Sequence, residues 1–337
     1  MNDKIDIVIP WVDDKDLLWK KEKEEYRKKV LPNEKVNSHI RFQSWDNLKF
    51  WFRTVENFMP WINRIFFITW GHIPSFLNEN HSKVRIIKHE DYIPKQYLPT
   101  FNSNTIEMNY YRISELSENF IVFNDDCFPL QPIKEEYYFK NNMVCDEAIE
   151  SPIMPLIKDD GYKYFCTVQF NNLRIINKHF KKREVQKEFW KWFHPRYGSL
   201  LKRNIGLHYW YNFVGFRDPH MPNAMKKSTL KNLWEIEPEI LDIASKNHFR
   251  DDKSDVSQYL ARYWQLCLGE FYPRRTEGKY SDVTIDNYKS VADAIRQQKY
   301  KFIVINENCT CKEFEVIKEE INSAFEEILP NRSSFEK

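Results

Sequence analysis

The run Phe120-Ile-Val-Phe123 breaks abruptly into Asn124, Asp125 and Asp126. A short apolar run between polar neighbours reads as a buried strand. Other segments have the same form. Ile5-Asp-Ile-Val-Ile-Pro-Trp-Val12 ends at Asp13 and Asp14, and Arg64-Ile-Phe-Phe-Ile-Thr-Trp70 is closed by Gly71. Val84-Arg-Ile-Ile-Lys88 is a shorter strand of the same kind. Helical segments lie between them. Lys15 to Val30 is rich in Lys and Glu at i,i+4 spacing. Trp45 to Phe58 carries Leu48, Trp51, Phe52, Val55 and Phe58 near helical spacing as one buried stripe. Asn104 to Ser117 is a third helix. Strands alternating with helices predict a mostly parallel sheet with helices on both faces.

In such a sheet, ligands bind beyond the carboxyl ends of the strands. The alternation therefore gathers Asp13, Asp14, Gly71, Asp125 and Asp126 along one sheet edge. Two carboxylates at that edge can hold a divalent metal, or divide metal binding and proton transfer between them. Taken alone, they also read as a turn carrying solvated acids.

From about residue 165 to 270 the pattern changes. Glu184 to Phe193, Leu200 to Phe213, Ala224 to Trp234, Glu237 to Lys246 and Val256 to Leu268 all read as helices. Lys301-Phe-Ile-Val-Ile305 is a late strand running into Asn306-Glu-Asn308, and Cys311 to Ile328 is a closing amphipathic helix. That strand is expected to rejoin the first sheet. The implied division is an α/β core over 1–145, a mainly helical subdomain over 146–280 contributing to the active site, and a strand and helix over 281–337 completing the core.

Composition narrows the function. Among 337 residues, 30% are charged and 42% apolar, which suits a globular chain. A formal charge of only +2 argues against a dedicated nucleic-acid binder. Basic runs such as Lys178-His-Phe-Lys-Lys-Arg183 read first as a solvated face, and second as a contact for phosphate or an anionic membrane. There are seven glycines, with no G-x-G-x-x-G and no phosphate-binding G-x-x-x-x-G-K-S/T, so any nucleotide is held by side chains, a metal and other loops. The six cysteines show no paired C-x-x-C spacing. Without a signal-peptide pattern or a long apolar run, a reducing, cytoplasmic setting is expected.

Several blocks in order resemble the Stealth family of sugar-1-phosphate transferases. The first is Ile5-Asp-Ile-Val-Ile-Pro-Trp-Val-Asp-Asp14, where the family usually has Thr-Trp-Val-Asp-Gly and this chain has Pro10 and Asp14. The second runs from Arg41-Phe-Gln-Ser-Trp-Asp46 through Trp61 to Gly71 and Phe101-Asn-Ser-Asn-Thr-Ile-Glu107 to Phe123-Asn-Asp-Asp126. The third includes Pro219-His-Met-Pro222 and His248-Phe-Arg-Asp-Asp-Lys-Ser-Asp255. The fourth is Phe302-Ile-Val-Ile-Asn306 with the ending Pro330-Asn-Arg-Ser-Ser-Phe-Glu336.

This resemblance implies an α/β fold: a mostly parallel, Rossmann-like (GT-A-like) sheet flanked by helices, with an internal helical subdomain. It implies transfer of a sugar-1-phosphate from a UDP-sugar donor to a glycan acceptor, lipid-linked or free, with release of UMP. Asp125 and Asp126 match the family's acidic pair, and His220 and Arg250 its catalytic His and Arg. Donor-binding residues would be Trp11, Asp13, Arg41, Asn102, Asn104 and Asn306, and Mg²⁺ or Mn²⁺ would sit on Asp125, Asp126 and Asn306. The base is Asp126 or His220, unranked. Read without the family, His220 is a loop residue between prolines, Arg250 a surface ion pair, Asn306 a turn residue, and Asn102 and Asn104 helix caps. A metal-dependent glycosyltransferase releasing UDP would share the donor and the acids. A carbohydrate-binding protein would use the aromatics without turnover. Partners expected are therefore the donor and the glycan, with no nucleic acid; the basic runs add peripheral association with the inner face of a bacterial membrane.

Overall fold

The computed structural model describes residues 4–33, 37, 45–154, 160–307 and 311–337. The strands in chain order are β1 (Ile5–Pro10), β2 (Ile65–Thr69), β3 (Val84–Lys88), β4 (Asn119–Val122), β5 (Cys127–Pro129), β6 (Phe139–Lys140), β7 (Met143–Asp146), β8 (Asn223–Lys226), β9 (Phe271–Pro273), β10 (Lys279–Val283) and β11 (Phe302–Glu307). The main sheet has the order β3-β2-β1-β4-β8. β1 to β4 are mutually parallel where they pair, and β8 is antiparallel to β4. The fold is α/β, as the alternation predicts. The apolar runs of β1, β2 and β4 are buried because both faces are covered: Ile7, Ile9, Phe67, Phe120 and Ile121 have no exposed surface. The helix Leu48–Phe58 supplies part of that cover. Its Leu48, Trp51, Phe52 and Val55 are buried, with Trp51 edge-on to Phe123 at 5.5 Å.

Strand order builds outward from β1 to β3, then reverses to β4 on the other side of β1. Such a reversal leaves a crevice beyond the carboxyl ends of the two central strands. Here those ends are Pro10-Trp11-Val12 and Asn124-Asp125-Asp126.

The late strand does not rejoin this sheet. Both edges of β4 are taken, by β1 and β8, and β11 finds its backbone partners in β10 and β5 instead, in a separate sheet with the order β10-β11-β5. β5 starts immediately after the acidic pair, and the Ile305 amide donates to the Asp126 carbonyl at 2.9 Å. This brings the end of β11 beside the acids. A third small sheet, β6-β7-β9, lies elsewhere.

Tertiary pairing also corrects several helix boundaries. Ala224, Met225 and Lys226 favour helix intrinsically, yet they pair with Ile121, Phe120 and Asn119, and the helix begins only at Lys227. Asn104 to Ser117 is not one helix. The helix Ser103–Met108 stops where the Asn109 side chain caps back onto Thr105, and one 3₁₀ turn follows over Tyr110–Arg112. Leu200 to Phe213 shortens to Leu201–Leu207, and Glu184 to Phe193 splits into Lys182–Val185 and Phe189–Trp192. The longest helix, Asp160–His179, has no counterpart among the sequence expectations.

The C-terminal block acts as a clasp. Glu336 receives Arg53 through two nitrogens at 2.8 and 3.0 Å, and Phe335 packs 5.5 Å from Phe52. Arg53 also reaches the Leu329 carbonyl at 2.6 Å. The final residues therefore pin the helix that covers the sheet.

Candidate active site

An open cavity of about 440 Å³ fills the crevice. Trp11 comes from the end of β1, and Asn124, Asp125 and Asp126 from the end of β4. Asn104 and Glu107 come from the helix Ser103–Met108, Tyr164 and Gln169 from the helix Asp160–His179, and Asn306 from β11. The third sequence block adds His220 and Arg250. The sheet edge and the helical region thus share one site.

His220 stands between Pro219 and Met221 with φ 51°, in the left-handed region. That conformation costs a non-glycine residue on the order of 1 kcal/mol or more, and persists where the surroundings fix it. The imidazole faces the residues that follow β4. Nε2 lies 3.5 Å from Asp126 Oδ2 and 3.3 Å from Asn124 Nδ2. The His220 side chain lines the cavity and keeps 39% of its surface exposed. Burial pulls its pKa down, while Asp126 and, behind it, Glu107 and Asp218 push it up more strongly, so the net direction is upward. Near neutrality this imidazole holds its proton more readily than a free one.

Glu107 is the group that the sequence analysis missed. It ends the quoted motif Phe101 to Glu107 but was given no role. The signal was a single acid amid Thr105, Ile106 and Met108, a position the helix buries to 8% exposure. Burial raises its pKa to about 7, against the lowering effects of Arg250, Gln258 and His220. A carboxyl at that value is poised to take or give a proton near neutrality. His89 was missed as well: it lines the cavity, burial lowers its pKa to about 3, and its Nδ1 has no hydrogen-bond partner among the described residues.

Arg250 is not a surface ion pair. Asp251 is used by Ser254, and Arg250 instead donates to Ser103 Oγ at 3.1 Å and lies over the Tyr164 ring at 5.6 Å. Its backbone is tied to Asn37 in both directions. Among the described residues no carboxylate lies within ion-pair distance of its guanidinium, which leaves the fork for an anion in the cavity.

The remaining candidates divide. Trp11 lines the cavity, held 5.6 Å from Phe67 and 5.3 Å from His72. Asp13 sits one residue beyond the lining; its amide donates to His72 Nε2 and its carboxylate accepts from the Lys15 amide, so it shapes the loop. Asn102 is wholly buried behind the wall, capping the helix through Asn104 N and donating to Asp255. Asn104 lines the cavity and donates to the Tyr164 hydroxyl at 2.6 Å. Asn306 lines it too, with its amide nitrogen on Asp282 at 2.8 Å. Arg41 lies outside the described residues. Cys127, Cys145, Cys166 and Cys267 are buried free thiols.

Metal fit rests on one observation. Asp126 Oδ1 is buried and has no hydrogen-bond partner among the described residues, while Oδ2 faces His220. No group of three or more His, Cys, Asp or Glu converges as a closed cage among the described residues. Mg²⁺ suits that donor set, because it is commonly held by one or two carboxylates together with substrate phosphates.

Comparison with known proteins adds the family. A capsular polysaccharide phosphotransferase WcwK of Streptococcus pneumoniae is 39% identical over 336 residues, covering 99% of this chain and 98% of that one. The profile for Stealth protein CR2, conserved region 2, matches residues 41–146, the span that holds Glu107, Asp125 and Asp126. The chain belongs to the Stealth family. It is a phosphotransferase. An exopolysaccharide phosphotransferase cps2G of Lactiplantibacillus plantarum is 33% identical over 99% of this chain and 96% of its own. A receptor polysaccharide phosphotransferase WefC of Streptococcus oralis is 31% identical over 99% of both chains. This Stealth protein therefore aligns with its relatives along its full length, across the sheet edge and the helical wall alike.

Proposed function

We propose that this protein transfers a sugar-1-phosphate from a UDP-sugar to a hydroxyl of a glycan acceptor in the synthesis of a capsular or related cell-surface polysaccharide. The observation that supports it most is the convergence of Arg250, His220, Asp125 and Asp126 on one cavity at the sheet's switch point. Two basic side chains and two carboxylates lining one cavity suit a diphosphate bridged by a cation, and phosphoryl transfer depends mainly on positioning and charge neutralisation. Trp11, Trp19, Trp45 and Phe101 give the same cavity a broad aromatic wall for a nucleobase.

In the reaction, the acceptor oxygen bonds to the phosphorus next to the sugar. The bond from that phosphorus to the bridging oxygen breaks, and UMP leaves with the electron pair. Arg250 clamps the phosphate oxygens, and protonated His220, steadied by Asp126, neutralises charge beside it. The acceptor proton goes to a carboxylate. Glu107 is our choice over Asp126, because burial has brought it near neutrality and Asp126 is engaged with His220. Mg²⁺ or Mn²⁺ on Asp125 and Asp126, with Asn306 alongside, would supply the remaining charge neutralisation.

The nucleotide product tests this reading. Incubation with a UDP-sugar and glycan acceptor is expected to release UMP and leave a phosphodiester in the product. UDP release with an ordinary glycosidic bond would replace it with a glycosyltransferase reaction. Divalent cation dependence is a second expected result: exhaustive chelation should reduce transfer by at least about 10²-fold, with recovery on adding Mg²⁺ or Mn²⁺. Undiminished turnover after chelation would remove the metal from the scheme.

A further inference from the structure

Charge is segregated on this chain. Residues 178–211 hold nine Lys or Arg against two Asp or Glu, while the whole chain carries a net charge of only +2. The rest of the molecule is therefore net acidic. Lys182 and Lys191 of this stretch are used internally, against Glu150 at 2.9 Å and Glu188 at 2.7 Å, while Lys178 pairs with Glu237 and Lys187 with Glu184. Lys181, Arg183, Lys202 and Arg203 are exposed.

The same stretch exposes large aromatic side chains. Tyr209, Trp210 and Tyr211 are 82%, 59% and 78% exposed, and Phe189 and Trp190 are more than half exposed. They are joined through ring contacts. Phe189 stacks on Phe193 at 4.2 Å, Phe193 meets His208 at 5.3 Å, and His208 meets Tyr209 at 6.2 Å. The Arg183 guanidinium lies 5.1 Å from the Tyr211 ring centre. A soluble surface gains nothing by keeping three consecutive aromatics in water. Trp and Tyr interleaved with Lys and Arg match the boundary of an anionic bilayer, where amphipathic rings sit at the headgroup level and the cations meet lipid phosphates.

The position of the patch is also informative. The helix Asp160–His179 contributes Tyr164 and Gln169 to the cavity wall and ends in Lys178 and His179 at the patch. Gln169 and Lys178 are separated along it by about 14 Å, at 1.5 Å per residue. Just past Tyr211, the chain is clamped to the same helix by Asn177, which accepts from the Phe213 amide at 3.1 Å and donates to its carbonyl at 2.9 Å.

We infer that the face formed by residues 178–211 docks this enzyme on an anionic membrane surface, about 14 Å along the helix Asp160–His179 from the active-site cavity. This goes beyond the reaction proposed above, and concerns where the reaction is carried out. No helix among the described residues is long and apolar enough to span a bilayer, so the attachment would be peripheral.

The test is co-sedimentation of the full chain with vesicles. Partition into vesicles of equal parts phosphatidylglycerol and phosphatidylcholine is expected to exceed partition into pure phosphatidylcholine by about tenfold or more, and to weaken with salt. Tyr209→Ser/Trp210→Ser/Tyr211→Ser and, separately, Lys181→Glu/Lys202→Glu should each lower binding to the anionic vesicles by about tenfold. Unchanged thermal unfolding would exclude misfolding, since all five side chains are exposed. Equal partition of the parent chain into both vesicle types would overturn the inference. So would retention of full binding by both variants, or a dimer of the parent chain that the aromatic variant dissociates without any vesicle binding. Nucleotide release with a water-soluble acceptor and no vesicles separates the two proposals. It should be the same in parent and variants; absence of UMP in the parent would sink the reaction scheme and leave the vesicle result standing.

Discussion

Replacing Arg250 with alanine is expected to lower the rate of transfer in a single turnover by about 10³-fold, and replacing it with lysine to do nearly the same damage. The guanidinium lines the cavity, and among the described residues it has no carboxylate partner and donates from its side chain to the neutral Ser103 hydroxyl. A planar fork can meet two phosphate oxygens at once, whereas an ammonium is a point charge that cannot reproduce that geometry. The loss should appear mainly in the chemical step, because charge redistributes over the phosphate as the phosphorus–oxygen bond breaks. Ser103→Ala serves as the comparison, since it removes only the orienting hydrogen bond and should cost less than about tenfold. Measuring donor affinity and single-turnover rate for all three variants is decisive. An Arg250→Lys protein with near-parental rates would return Arg250 to a bulk electrostatic role.

Glu107→Gln is expected to move activity and stability in opposite directions. Transfer should fall by about 10²- to 10⁴-fold if Glu107 receives the acceptor proton. Stability should follow pH differently. Burial raises the folded-state pKa to about 7, from a usual value of 4.5. The protonated acid is thus favoured by folding, and its contribution is fully present below 4.5. It is lost as pH rises through about 7, because the folded state must then accept a buried charge. The difference corresponds to about 3 kcal/mol between those limits. Glutamine keeps the shape without the charge, so Glu107→Gln should unfold at a higher temperature than the parent at pH 8 and show little difference at pH 4.5. Thermal unfolding across this range, with transfer assayed at each pH, checks both halves. A variant that loses activity and stability together at pH 8 would mark Glu107 as a packing residue.

The apolar runs of β1, β2 and β4, and the acids that end them, were legible in the sequence because period and burial are local properties. A strand that must be buried on both faces shows this as a nearly continuous apolar run, which in β1 is interrupted by Asp6, buried and accepting from Asn63 and the Ser117 amide. The buried stripe Leu48, Trp51, Phe52 and Val55 was legible for the same reason. Motif likeness then singled out His220 and Arg250, which no local pattern distinguishes from a loop residue and a surface arginine.

What only the tertiary structure decided is where chain segments far apart in sequence meet. β11 pairs with β10 and β5 and not with the main sheet, where β8 occupies the edge of β4. Residues 224–226 are strand, not helix, because β4 offers them backbone partners that outweigh a weak intrinsic preference. Asn102 and Asp13 support the wall, and Glu107 enters the site with its proton affinity raised, through contacts that no spacing records. Burial, hydrogen bonding and charge act through space, and here they couple Glu107 to Arg250 and His220 across more than a hundred residues of chain. The sequence alone determined the layers of this protein and the acids at their edge. Folding decided which side chains share the cavity and in what state of charge, because those depend on neighbours that the chain brings together only when it closes.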